Sequence, residues 1–268
     1  MDLLQFLGYL SALLIGFSLG LVGGGGSILT VPALVYLIGL APGLSISYSL
    51  FIVGFSSLVG ALRFVRRGLV NYRAALAFFL PSMTVVFLTR RFLIPQIPRV
   101  LFRLGDWIIT WDLLMMALFA LLMLFSAFSM IRSQPTREEP KRMEFNYQLI
   151  FVVGALVGLV TGLVCAGGGF LIIPALVVFA RLPMKVAVGT SLLIIALNSL
   201  LGFAGDRIAG LLVEWPFLIL FASLAVVGVY LGIFASQHIA GPRLRPVFGW
   251  FVLTMGLFIL TKEFFLRL

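Results

Sequence analysis

The feature that most constrains the fold of this chain is its series of long apolar runs, separated by short basic gaps. Most of them approach the roughly 20 residues that a membrane-spanning helix needs. Apolar residues make up 62% of the 268 and charged residues only 10%, whereas about 25% of a soluble domain is charged. Lipid must therefore cover much of the surface. The runs fall at about 3–22, 28–40, 46–62, 74–94 and 107–131, and then at about 147–164, 170–180, 186–205, 213–236 and 246–266.

The spans are predicted to be helices throughout. Backbone polar groups in lipid must be paired internally, and no alternating ten-residue pattern suggests a barrel. The net charge of +10 comes from basic residues in the gaps. This is typical of membrane-protein loops rather than of a nucleic-acid-binding face. The first residues lack a basic segment, so they are interpreted as the start of a retained span.

Few side chains suited to catalysis or metal binding are present. Cys165 is the single cysteine and His238 the single histidine. A disulfide within one chain and a histidine-based metal site or triad are thereby excluded. We expect no cofactor, no metal and no enzymatic activity.

The sequence repeats itself at a shift of 142 residues. Residues 16–35, GFSLGLVGGGGSILTVPALV, align without gaps to residues 158–177, GLVTGLVCAGGGFLIIPALV, and eleven of the twenty positions are identical. The match continues downstream, where Ser49, Ser57 and Gly60 pair with Ser191, Ser199 and Gly202. An ungapped match that includes paired glycines and a shared Pro-Ala-Leu-Val indicates a duplication.

The duplication predicts an all-α polytopic membrane protein of two pseudo-symmetric repeats, with about four to five transmembrane segments each. The first repeat spans 1–131, a polar linker 132–146 and the second repeat 147–268. Five crossings per half would invert the second repeat, whereas four would leave it parallel. A small excess of basic residues on the side of the linker favours the inverted arrangement.

A glycine-rich break interrupts each repeat at corresponding positions, at 23–27 and at 166–169. Such a break is tolerable in a membrane only where protein or a water-filled cavity surrounds it. Each break precedes a short run, 28–40 or 170–180, whose helical N-terminus would suit an anion. Paired interruptions indicate a transporter's binding site. The alternative is that the glycines only allow close helix packing.

Polar side chains in the third run of each half are further candidates, with interhelical hydrogen bonding as the alternative role. No acidic residue lies mid-span, which argues against a carboxylate proton relay but leaves proton-coupled movement of the substrate open. The candidate substrate-binding residues are Gly24, Gly25, Gly26, Ser27, Ser49, Gly167, Gly168, Gly169, Thr190, Ser191 and Asn198.

The two breaks, GLVGGGGSILTVPAL and GLVCAGGGFLIIPAL, together with AVGTS at 187–191 and RRGLVNYR at 66–73, resemble the TauE/SafE sulfite exporter family of permeases. The resemblance covers nearly the whole chain. It implies a membrane transporter of sulfite, sulfoacetate, organosulfonates or related small anions. The repeats differ at Gly23/Cys165, Gly24/Ala166 and Ser27/Gly169, so a site formed by both repeats would be asymmetric.

The sequence therefore predicts a secondary permease for a small anion in the inner cell membrane, with multiple spans and no nucleic-acid partner. Passive anion channel activity is the alternative, and an intramembrane enzyme is a weaker one. Protons as coupling ion and a homo-oligomeric state remain open.

Overall fold

The computed structural model describes residues 3–24, 26–93, 96–98, 100–104, 107–132, 147–164, 169–180, 182–238, 249–250, 253–254 and 256–261. The described chain is helical apart from one short hairpin, which confirms the helical prediction. The helices are α1 (Leu3–Val22), α2 (Ser27–Tyr36), α3 (Pro42–Arg66), α4 (Tyr72–Leu88), α5 (Trp111–Arg132), α6 (Tyr147–Val164), α7 (Gly169–Val178), α8 (Met184–Ile208) and α9 (Trp215–His238). The described residues between 249 and 261 are helical as well.

Local sequence signals set the bounds of the long helices. Pro42 opens α3 at its first turn, where the missing N–H of proline has no helical partner to lose. Asn71 caps α4 and accepts a hydrogen bond from the Ala74 amide at 3.0 Å, as capping asparagines do. The turns after α3 and α8 each contain a glycine with positive φ, Gly68 and Gly210.

The hairpin is the exception to the all-helical prediction. Val100–Leu104 (β1) pairs antiparallel with Trp107–Thr110 (β2), with Leu104 opposite Trp107. The connecting sequence is Gly-Asp, typical of two-residue hairpin loops. The predicted helical run at 107–131 therefore begins as a strand and becomes helical at Trp111. A five-residue π-helical turn, Thr89–Leu93, extends α4 before the hairpin.

The centre of the molecule is an antiparallel crossing of α3 and α8, each 25 residues long. Ser47, near the start of α3, donates to Asp206 near the end of α8 at 2.6 Å. Gly54 lies against Leu200, and Phe64 lies against Gly189. The contact partners thus run in opposite directions along the two helices.

Two further helix pairs flank this crossing, and both are parallel. Gly16 of α1 contacts the backbone of Ala225 in α9, and Gly20 contacts Val229 one turn further on. In the second pair, Gly154 and Gly158 of α6 lie in the same way against α4. Small residues allow membrane helices to approach this closely.

Three described helices are long and apolar enough to cross a membrane by length and composition: Pro42–Arg66, Met184–Ile208 and Trp215–Ser236. Shorter apolar helices accompany them at Leu7–Val22, Tyr72–Leu88 and Gln148–Leu163. Large apolar side chains are exposed on the outside, among them Leu80, Phe151, Leu156 and Phe234. Such a surface is compatible with lipid and costly in water. The chain is a multi-pass membrane protein.

Candidate functional site

The first glycine-rich break is a sharp turn that folds α2 back along α1. Gly23 has φ of +81°, a backbone conformation that side chains with a Cβ rarely adopt. Its amide still donates to the Leu19 carbonyl at 2.7 Å and so ends α1. On the returning segment, Gly26 lies against Ile15 and Ser18 of α1. The predicted helix break is therefore a helix reversal within four residues.

The helices that follow the breaks are short, as their runs predicted. Helices α2 and α7 have ten residues each, which corresponds to about 15 Å of helix. A hydrocarbon core is roughly 30 Å thick. The α2 helix begins at Ser27 after Gly26, which makes no side-chain capping bond. No side chain of the N-cap residue therefore binds the amides in the first turn of α2.

The two breaks meet in the structure. A methyl group added at Gly24 would collide with the carbonyl oxygen of Gly169 and would lie 2.9 Å from Cδ1 of Ile173. Gly169 is the first residue of α7, so the start of one short helix faces the break before the other. Glycine at position 24 is what permits this approach. Of the predicted site residues, Gly24 and Gly169 are thus in direct contact.

Ser191 attaches the first break to the second half of the chain. Its hydroxyl lies 2.9 Å from the Gly23 carbonyl oxygen and 2.9 Å from the Val188 carbonyl oxygen, and it donates its one hydrogen between them. Ser191 is fully buried. An added methyl at Gly23 would lie 2.6 Å from Cγ1 of Val188. The predicted residue Ser191 therefore lies at the break, where its hydroxyl fixes a backbone carbonyl.

The remaining polar candidates lie apart from this contact. Ser49 donates to the Ile46 carbonyl at 2.7 Å, within its own helix. Thr190 accepts from the Asn71 amide at 3.0 Å, at the start of α4. Asn198 donates through Nδ2 to the hydroxyl of Ser82 at 3.1 Å. It follows Ser191 by seven residues in α8, which places it about 10 Å further along the helix axis.

Three of the predicted site residues, Gly25, Gly167 and Gly168, lie outside the described residues, as do Cys165 and Ala166. The backbone of Ser27 is described as the first residue of α2.

Several contacts at the ends of the spans were not predicted. Tyr48 accepts from the Glu214 amide at 2.8 Å, at the start of α9. Tyr48 and Thr190 are the same position of the two repeats, and each therefore binds the amide that opens a helix of the other half. The signal was present in the sequence, because the segments Asn71-Tyr72 and Glu214-Trp215 also correspond at a shift near 142.

Within the part of the chain that the structure describes, no group of three or more His, Cys, Asp or Glu side chains is placed to hold a metal ion. The candidate site consists mainly of backbone groups. They are the Gly23 carbonyl bound by Ser191, the start of α2 without a side-chain cap, and the contact between Gly24 and Gly169.

This fold defines a helical multi-pass membrane protein in which the first helix break lies against the start of the short helix α7. The chain belongs to the sulfite exporter TauE/SafE family, whose model matches residues 9–259.

Relatives from three organisms share most of its length. It is 29% identical over 259 residues to a protein of Xylella fastidiosa named "Probable membrane transporter protein", covering 93% of this chain and 92% of the relative. It is 28% identical to YunE of Bacillus subtilis, covering 79% and 80% of the two chains. It is 26% identical to MJ0441 of Methanocaldococcus jannaschii, covering 92% and 94%. YunE and MJ0441 are each also named "Probable membrane transporter protein". Family and relatives together support membrane transport as the function class.

Proposed function

We propose that this protein is a secondary transporter of a small sulfur-containing oxyanion or organosulfonate, such as sulfite or sulfoacetate, in the inner cell membrane. The family name supports sulfite as the first substrate to test. The observation that carries the proposal is the contact between Gly24 and Gly169, because it brings the start of α7 against the break that precedes α2. Helix N-termini offer N–H groups and partial positive charge to an anion.

The anion would bind to backbone amides of the breaks, at Gly24–Ser27 and Gly167–Gly169. Ser191 has a positioning role in this arrangement, because its hydrogen is shared between two carbonyls. Ser49 has the corresponding position in the first repeat and makes the corresponding bond within its helix. Thr190 and Asn198 complete the polar surroundings of the path.

The proposal includes two inverted repeats, 1–131 and 147–268, joined by the linker 132–146. Three relations support it. The helices α3 and α8 begin 142 residues apart and have equal lengths. Their crossing is antiparallel. At a shift near 142, α1 corresponds to α6 and α4 corresponds to α9, so the parallel pairs α1–α9 and α4–α6 are equivalent to each other. Inverted repeats around a central site are a common basis for alternating access.

Solute counterflow into proteoliposomes would test the function. Vesicles loaded with unlabelled sulfite should accumulate radiolabelled sulfite transiently, with a saturable initial rate, and protein-free vesicles should not. Unsaturable, conductive flux would instead indicate a passive channel. Vesicles that show neither behaviour with sulfite, thiosulfate, sulfoacetate or other sulfonates would refute the proposal. A thermal-shift screen of the same anions and of carboxylates would rank the ligands.

A further inference from the structure

The helices α3 and α8 carry three buried polar atoms that have no hydrogen-bond partner among the described residues. They are the hydroxyls of Ser57 and Ser199 and the amide oxygen Oδ1 of Asn198. Ser57 and Ser199 are 0% exposed, and they occupy the same position of the two repeats. Buried polar groups are nearly always paired in native proteins, with protein groups or with ordered water. Three such atoms on one helix pair therefore indicate that something else binds there.

The contacts along the crossing place the two serines on the facing surfaces. Gly54 and Gly60 of α3 lie against Leu200 and Leu192 of α8. Ser57 lies three residues from each of these glycines, on the same stripe of the helix. Its hydroxyl therefore belongs to the surface that faces α8.

Ser199 has the matching place on α8. Phe203 stacks at a tilt on Phe51 of α3, with ring centroids 5.0 Å apart, and Leu192 faces Gly60. Ser199 lies four residues before Phe203 and seven after Leu192, on the stripe that faces α3. In the antiparallel pair, Ser57 and Ser199 differ in axial level by about 5 Å, close to one helical turn.

Asn198 adds an acceptor whose orientation is fixed by its neighbour. The Ser82 hydroxyl donates its only hydrogen to the Phe79 carbonyl at 3.0 Å. It must therefore accept from Asn198, and the amide nitrogen must be the atom at 3.1 Å. This leaves Oδ1 of Asn198 as a buried acceptor that needs a donor. A fully deprotonated anion has only lone pairs to offer and would be repelled there.

We propose that Ser57, Ser199 and Asn198 form a binding position for a small oxyanion that still carries its own acidic hydrogen, such as hydrogen sulfite. The two hydroxyls donate to oxygens of the anion, and the anion donates its hydrogen to Oδ1 of Asn198. The inference rests on the proposed transport of a sulfur oxyanion and names the protonation state that the path accepts.

The proton then crosses the membrane on the substrate. On one side a dianion takes a proton from solution and enters as a monoanion; on the other side the monoanion leaves and releases the proton. No protein group gains or loses a proton in this sequence. It therefore requires no mid-span carboxylate, consistent with the sequence.

Isothermal titration calorimetry on the purified full-length protein would test the inference directly. Sulfite would be titrated without oxygen, above the pH at which hydrogen sulfite loses its proton, in two buffers of different ionisation enthalpy. We expect uptake of about one proton per anion bound and an affinity that weakens about tenfold per pH unit. Methanesulfonate, a monoanion without an acidic hydrogen, should bind more weakly and take up no proton.

Sulfite binding without proton uptake, at an affinity independent of pH, would overturn the inference and would point to a bridging water at Asn198. In that case saturable counterflow would still uphold the proposed function. If the wild-type protein neither binds sulfite nor shows counterflow, the proposed function fails together with the inference.

Variants locate the effect. The double variant Ser57→Ala/Ser199→Ala should bind sulfite about tenfold or more weakly, because two hydrogen bonds to a charged ligand are lost. Ser56→Ala is the matched control, since the Ser56 hydroxyl is equally buried but donates to the Ile52 carbonyl of its own helix at 2.6 Å. It should keep its affinity within about twofold. Wild-type affinity in the double variant, or in both single variants if the double variant does not fold, would refute the assignment.

Discussion

The hydroxyl of Ser191 lies 2.9 Å from the carbonyl oxygen of Gly23, across 168 positions of sequence. This bond joins the first helix break to α8, the central helix of the second half. The Gly23 amide still makes its helical bond to Leu19, but the Gly23 carbonyl lies past the end of α1, where a donor from outside the helix fixes its position. The relationship suggests that the break is a positioned element of the site.

Replacing Ser191 by alanine should loosen the break. A buried carbonyl that loses its donor typically costs about 1–3 kcal/mol, so we expect a lower thermal midpoint in detergent and weaker sulfite binding. Ser223→Ala is the control, because the exposed Ser223 hydroxyl donates only to Ile219 of its own helix, at 2.7 Å. If both variants keep wild-type affinity, Ser191 has no role in positioning the break for the anion.

The contact between the two breaks predicts a strong effect at Gly24. Its replacement by alanine places a methyl group against the carbonyl of Gly169, so the breaks must separate. We expect counterflow to fall at least tenfold, since binding geometry tolerates displacements of this size poorly.

Gly205→Ala provides the matched control for Gly24→Ala. An added methyl at Gly205, within α8, meets no atom within 4 Å, and alanine is favoured over glycine in a helix by roughly 0.5–1 kcal/mol. This variant should transport normally and unfold at an equal or higher temperature. Normal counterflow by Gly24→Ala would show that the breaks need not touch during transport.

The paired bonds at Tyr48 and Thr190 predict matched losses of stability. Thr190→Val leaves the Asn71 amide without its acceptor, and Tyr48→Phe does the same to the Glu214 amide. Each should destabilise the protein by about 1–3 kcal/mol. Because the two bonds lie at separate helix starts, their effects should add within about 0.5 kcal/mol in the double variant.

Chemical denaturation of the single and double variants in detergent would measure this. Thr84→Val serves as the control, since Thr84 is exposed and donates within α4 to Leu80. A change of less than about 0.5 kcal/mol in Thr190→Val would mean that water satisfies the Asn71 amide.

The sequence predicted the first break and the short helices well, because a run of glycines disfavours a helix through its backbone entropy, which is a local property. The predicted run 28–40 became α2, Ser27–Tyr36, and 170–180 became α7, Gly169–Val178. The hairpin was missed, since a short apolar segment such as Trp107–Thr110 is equally compatible with helix and strand.

The hydrogen bonds of the polar residues could not be predicted from sequence. The sequence singled out Ser191 and Asn198 as polar positions, but their partners Gly23 and Ser82 lie 168 and 116 positions away. Such pairs depend on the register of helices packed against each other, which no local pattern specifies. The correspondence of Tyr48 with Thr190 was visible in the repeat. The bonds that these side chains make to the amides of Glu214 and Asn71, at the starts of α9 and α4, appear only in the structure.

The proposed inverted arrangement of the two repeats predicts opposite labelling of equivalent positions. Arg67 and Ala209 are the residues that follow α3 and α8, they correspond at the repeat shift of 142, and both are exposed. Inverted repeats place them on opposite sides of the membrane, whereas parallel repeats place them on the same side.

In a Cys165→Ser background, a membrane-impermeant maleimide applied to intact cells should label only one of Arg67→Cys and Ala209→Cys. The positive-inside tendency places Arg67 inside, so Ala209→Cys should react first and Arg67→Cys only after the cells are opened. Equal labelling of both in intact cells, with a cysteine-free control remaining unlabelled, would refute the inversion and with it the proposed site between two opposed short helices.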